Sequence, residues 1–231
     1  MPLVDLRATV ERDGPTAAVV ELMRSWWHVD VMAPSDELAL IDVLCTSVAL
    51  KQLPWPQEEL VVPSLVPSTG ELVIGLENQR LWEARIDPAE TMPVVRFFVD
   101  DGRRRLGPTM GLGEFFFRVL VEAAAYADPQ RIRCRVLDPE AIRPHVIADE
   151  LHLELGTVRF SRLVAGAGWF GVAGPDLACL ATQGSPRELV DHLARFGEGW
   201  KQRVGPGSGD LGRNPWEAWP TGAGERWRDL K

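Results

Sequence analysis

The sequence predicts an α+β fold, a mixed or largely antiparallel sheet flanked by helices. Three observations lead there. Short β-rich runs are joined by tight turns, they come in two sets around 71–106 and 157–182, and one long amphipathic helix separates the sets. A doubly wound parallel sheet would alternate a helix with each strand, and this chain does not. A single unit is expected over 1–204. An irregular strap follows over 205–231, rich in glycine and proline and carrying Trp216, Trp219 and Trp227.

The elements follow in chain order. Gly14-Pro15-Thr16 opens a helix running to about Trp27, with Val19, Val20, Leu22, Met23 and Trp26 gathered toward one face. Ala33-Pro34-Ser35-Asp36 breaks the chain and supplies a cap for a second helix over Glu37–Leu50, whose stripe is Leu38, Ile41, Leu44, Cys45 and Val48. Pro54-Trp55-Pro56 ends it, because proline cannot continue a helix. Leu60–Val66, bounded by Pro63 and Pro67, is an edge strand or extended loop. Strands are expected over Glu71–Leu76, Arg80–Ile86 and Val94–Val99, with a short return over Arg103–Leu106 after the Asp100-Asp101-Gly102 turn. Leu112–Tyr126 is the clearest helix, with Leu112, Phe115, Phe116, Val119, Leu120 and Ala123 on a wide apolar face. Arg131–Leu153 reads as a strand with a short helix from Pro139. Thr157–Val164, Trp169–Val172 and Leu177–Thr182 are strands joined by glycine turns. Ser185-Pro186-Arg187-Glu188 starts a last helix that reaches about Phe196.

Length and composition narrow the function classes. A chain of 231 residues with 45% hydrophobic and 25% charged residues can bury a substantial core. The N-terminal residues lack the basic-then-apolar order of a signal peptide, and no run approaches the roughly 18 apolar residues of a membrane span. The densest apolar stretch, Phe115–Ala127, is interrupted by Arg118 and Glu122. Cys45, Cys134 and Cys179 are odd in number and widely spaced, which suits a reducing cytoplasm. Net charge is −8, and residues 1–60 hold 10 acids against 4 bases. Nucleic-acid binding would call for a concentrated basic footprint. The nearest thing to one, Arg103-Arg104-Arg105, follows Asp100 and Asp101 and reads as a solvated hairpin tip. The acidic balance favours a basic protein partner.

Motifs for chemistry are weak. Gly166-Ala-Gly-Trp-Phe-Gly171 matches the dinucleotide-binding spacing, but those glycines must open a helix facing the pyrophosphate. Here the chain continues as β-type sequence, so a hairpin is expected. Gly111 and Gly113 lack the third glycine and the lysine of a phosphate loop. His28, His145, His152 and His192 show no metal-ligand spacing, and no nucleophile elbow is present. Asp149 and Glu150 are adjacent and point apart on any regular backbone, so they read as a solvated turn. Neither a metal nor a cofactor is expected.

Glu77-Asn78-Gln79 interrupts a strand pair with three polar residues, and Trp82 follows within the next strand. The plain reading is a hairpin turn over a core tryptophan. The sharper one is a turn forming the rim of a recognition cleft, with Trp82 as its floor or anchor. The ordered set around this turn resembles a bacterial branch of the SUKH superfamily, the Smi/Knr-like proteins. N-terminal helices lead to Leu53-Pro54. Then come a strand ending in Glu77-Asn78-Gln79, an aromatic strand with Trp82, a strand opening at Pro93-Val94, and the Leu112-Gly-Glu-Phe115 helix. Leu53–Ala127 carries the likeness, and Thr157–Gly199 resembles the later hairpin and helix. Family members commonly place glycine after the Asn-Gln, where this chain has Arg80.

The resemblance implies a SUKH-like α+β fold and a non-catalytic, cytoplasmic protein-binding role, most often as an immunity protein neutralising a bacterial toxin. The expected partner is a basic toxin domain, contacted through Glu77, Asn78, Gln79, Trp82, Asp100 and Asp101, with no nucleic acid and no membrane involved. Two alternatives stay open: an enzyme whose cleft is assembled from distant polar residues, and a regulatory or scaffold adaptor of the same fold.

Overall fold

The computed structural model describes residues 4–34, 36–49, 63–76, 82–99, 102–127, 132–136, 138–152, 159–174, 177–194 and 197–200. The expected 205–231 strap and the Leu53–Pro56 segment lie outside these residues.

Three helices come first. α1 (Leu6–Asp13) is capped by Asp5, whose carboxylate accepts the Ala8 N–H at 3.0 Å. Gly14, at φ +85°, turns the chain directly into α2 (Pro15–Ser25), which opens on its proline. α3 (Glu37–Ala49) starts at Asp36, which accepts the Ala39 N–H at 2.8 Å. Five strands follow: β1 (Ser64–Leu65), β2 (Leu72–Leu76), β3 (Glu83–Ile86), β4 (Val94–Val99) and β5 (Arg104–Gly111). α4 (Leu112–Ala127) leads to β6 (Ile132–Val136), then α5 (Pro139–Ile142), a 3₁₀ turn over Arg143–His145, β7 (Val146–Ala148) and β8 (Leu151–His152). β9 (Arg159–Phe160), β10 (Arg162–Gly166), β11 (Trp169–Ala173), β12 (Leu177–Thr182), α6 (Pro186–His192) and β13 (Gly197–Trp200) complete the described chain.

The strands pair antiparallel throughout, but they make two principal sheets. The first is a meander in the order β1-β2-β3-β4-β5, and the second has the order β13-β6-β12-β11-β10-β7. β8 and β9 form a small separate ribbon. The α+β expectation holds, with the strands divided between two layers.

The reason lies in α4. Its sequence suggests one wide apolar face, yet Phe117, Val121, Ala124 and Ala125 are buried as well as the expected Phe115, Phe116, Val119 and Leu120. A helix that is apolar nearly all round needs cover on more than one side. α4 touches β11 and β12 of the second sheet, β4 and β5 of the first, and α2 and α3. One continuous core therefore joins Ile74, Ile86 and Phe97 of the first sheet to Leu163, Phe170 and Val172 of the second. The far face of the second sheet packs Val164, Trp169 and Leu180 against Leu189 and Leu193 of the α6 region and Ile142 of α5. That sheet is buried on both faces, as the fully buried β11 shows.

Candidate functional site

The cross-strand register decides where the sequence candidates can meet. Leu76 pairs with Glu83, Glu83 with Phe98, Phe98 with Arg105, and Val99 with Arg104. These residues form one row at one end of the first sheet. The strand ends on either side of residues 77–81 and of residues 100–101 therefore lie together at that end. Glu77, Asn78, Gln79, Asp100 and Asp101 themselves lie outside the described residues.

Trp82 is described, and it is a core residue. Only 5% of it is exposed, and its ring meets Phe97 edge-on at 5.7 Å. It underpins the row from the inner face, so its ring offers little surface for a partner to grip. Phe97 passes the packing on to Phe115 of α4 at 6.1 Å between ring centroids.

On the other face of the same strands sits a residue that the sequence reading passed over. Arg85 is 7% exposed, and its guanidinium lies 4.4 Å above the Phe98 ring. It pairs with Glu83 on its own strand and with Glu71 at 3.5 Å. Its Nε is buried without a hydrogen-bond partner. Gly102, at φ +79°, presses against it, and a Cβ there would stand 1.7 Å from the Arg85 Nη2. The β4–β5 turn thus rests on a buried ion cluster. Glu83 and Arg85, two apart in a strand and so on one face, were the available signal.

The electrostatics of the described part of this end are mixed. Arg103, Arg104 and Arg105 are exposed, while the Arg85–Glu83–Glu71 ion cluster is largely buried. Arg96, further along β4, pairs with Glu90.

Elsewhere the geometry resolves the other candidate motifs. Residues 166–171 form the tight β10–β11 hairpin, with Gly168 at φ +77° in the turn and no helix following. Asp149 is exposed and stands 3.7 Å from the Arg162 Nε. His145 ends the 3₁₀ turn, edge-on to Trp169 at 5.2 Å, with its pKa lowered by burial and by the neighbouring His192 and Arg7. Cys134 and Cys179 are reduced thiols buried in cores on opposite faces of the second sheet; burial pushes the Cys134 thiol up to about 12. Among the described residues no three His, Cys, Asp or Glu side chains gather to hold a metal, and no helix is long and apolar enough to cross a membrane.

A second polar cluster lies on α4. Arg118, only 4% exposed, donates from Nε and Nη2 to Glu114 at 3.0 and 2.8 Å and from Nη1 to the Ser161 carbonyl at 3.4 Å. One turn on, Glu122 accepts the Ser161 N–H at 3.2 Å. Both backbone groups of Ser161, in the β9–β10 link, are thus taken by side chains of the helix. The i, i+4, i+8 spacing of Glu114, Arg118 and Glu122 in an apolar run was the sequence signal.

Comparison with family models, with curated proteins and with solved structures gives no match.

Proposed function

We propose that the chain is a non-catalytic, cytoplasmic protein-binding module that neutralises a basic bacterial toxin domain by direct binding. Contact is made at the end of the first sheet where the β2–β3 and β4–β5 turns emerge. The observation that carries this reading is the register: Leu76, Glu83, Phe98 and Arg105 stand in one row, so the strand ends flanking the Glu77–Gln79 and Asp100–Asp101 turns share one end. The net charge of −8 and the resemblance of Leu53–Ala127 to immunity proteins support it. Trp82 acts here as the floor, fixing the strand from which the first turn leaves, while the buried Arg85 cluster steadies the second.

The test begins with purification from the native host and identification of a stoichiometric protein partner, followed by association kinetics at low salt. Glu77→Lys, Asp100→Lys and Asp101→Lys combined should slow association by about tenfold or more, with the loss shrinking as salt rises. Arg103→Glu, Arg104→Glu and Arg105→Glu combined should leave association unchanged or speed it. Unchanged kinetics in a folded acid-to-lysine triple variant would place the contact elsewhere.

A further inference from the structure

A sheet that does not close leaves two edges whose outward N–H and C=O groups have no strand to bond. In the first sheet those edges differ. β1 offers two residues, whereas β5 offers eight and pairs with β4 alone. Leu106 and Met110 are buried, and Arg104, Arg105, Pro108, Thr109 and Gly111 are exposed. Among the described residues no backbone hydrogen bond links Arg104–Leu106 to any strand but β4.

The sequence makes Arg103-Arg104-Arg105 a hairpin tip, and the structure moves the tip back. Gly102 takes the turn at φ +79°, and Arg104 and Arg105 belong to the strand, opposite Val99 and Phe98. Successive strand residues point to opposite faces, so cations leave this edge on both sides. Arg85 and Arg96 on the neighbouring strands are paired with Glu83 and Glu90. Arg103 and Arg105 have no ion pair among the described residues, in a chain of net charge −8.

We propose that the first half of β5 is a docking edge for an acidic, extended protein segment, which adds to the first sheet as a further strand. Charge on an edge ordinarily keeps sheets apart. Here it also selects. A second copy of β5 laid antiparallel over this half would set arginine against arginine, and a basic strand is refused in the same way. An acidic strand gains ladder bonds and cross-strand ion pairs together. Pro108 has no N–H and interrupts the run of donors, so Arg104–Gly107 is the part that an added strand follows without a break. The ligand is opposite in charge to the toxin domain proposed above, so its measurement is independent of that partner.

The experiment uses the intact chain and a fluorescent heptapeptide alternating Glu and Val, whose acids share one face of a strand. Binding, read by anisotropy at low salt, should be roughly tenfold or more tighter than with Lys in place of Glu, and should weaken as salt rises. A peptide alternating Glu and Pro keeps the charge without the ladder donors, and should also lose roughly tenfold. Arg103→Glu combined with Arg105→Glu should abolish the preference for acid. Alternate amides within Arg104–Gly107 should gain exchange protection when the Glu-Val peptide binds the wild type. Equal binding of the Glu-Pro peptide or of oligothymidylate would make the edge a non-specific anion patch and overturn the proposal. So would no binding of the Glu-Val peptide, unchanged binding by the double variant, or a dimer of the free chain with those amides already protected. Should the double variant fail to fold, the wild-type comparisons still decide.

Discussion

Gln183 ties three distant segments together through one carboxamide. Its Oε1 accepts the Val4 N–H at 2.7 Å, and its Nε2 donates to the Ser25 carbonyl at 3.1 Å. The Val4 carbonyl in turn accepts the Gly168 N–H at 2.7 Å, so the start of the described chain is stitched to the β10–β11 hairpin and to the end of α2. Gln183→Ala leaves two partly buried backbone groups without their partner and should cost about 1–3 kcal/mol, measured by denaturant titration. A loss near zero would mean that water replaces the amide fully. No sequence pattern announces such a residue, because its partner lies 179 positions away and polar side chains carry no period. Arg85 was hidden for a related reason. An alternating strand reads every second charge as solvent-facing, and only the tertiary placement of Phe98, Glu71 and Gly102 turns this one into a buried cluster.

At the scale of elements, close approach of backbones is the limiting constraint. A Cβ on Gly171 in β11 would lie 2.1 Å from the Cys179 carbonyl and 2.8 Å from the Leu180 Cα. Gly111, at the end of β5, has open space where its Cβ would be. Gly171→Ala should therefore cost about 1–3 kcal/mol or more, while Gly111→Ala should change stability by less than about 0.5 kcal/mol. Equal midpoints for the two variants in a thermal melt would contradict this packing. Elements with strong periodicity were legible: α2, α3, α4, β4, β11 and β12 fall within a few residues of expectation. Those missed had weak local signals. α1 has just Leu6 and Val10 as apolar anchors beyond its alanine and relies on its Asp5 cap. β13 reads Gly-Glu-Gly-Trp, a turn by composition, and becomes a strand by pairing with β6. β5 runs to Gly111 rather than Leu106. The register shift between Val95 and Phe97 lets Gly107 and Pro108 bulge at the sheet edge, where a missing N–H is tolerated.

At the scale of the molecule, the antiparallel α+β class was readable from short strands and tight turns, and the separation into two sheets was not. Sheet membership depends on which faces of α4 are covered, and a wide apolar stripe looks alike whether it meets one layer or two. The candidate site was legible only in outline. Both turns were singled out, and their common end needed the register. Because α4 lies within a core common to both sheets, neither sheet keeps its interior if the other departs. Amides in β3 and β11 should therefore report one denaturation midpoint, and two separated midpoints would show independent units. The consequence reaches beyond stability. A partner that grips the first sheet adds its binding free energy to an unfolding reaction shared by the whole core. Exchange should then slow across β11 and β12, strands the partner never touches, and a bound complex would be detectable from the layer farthest from it.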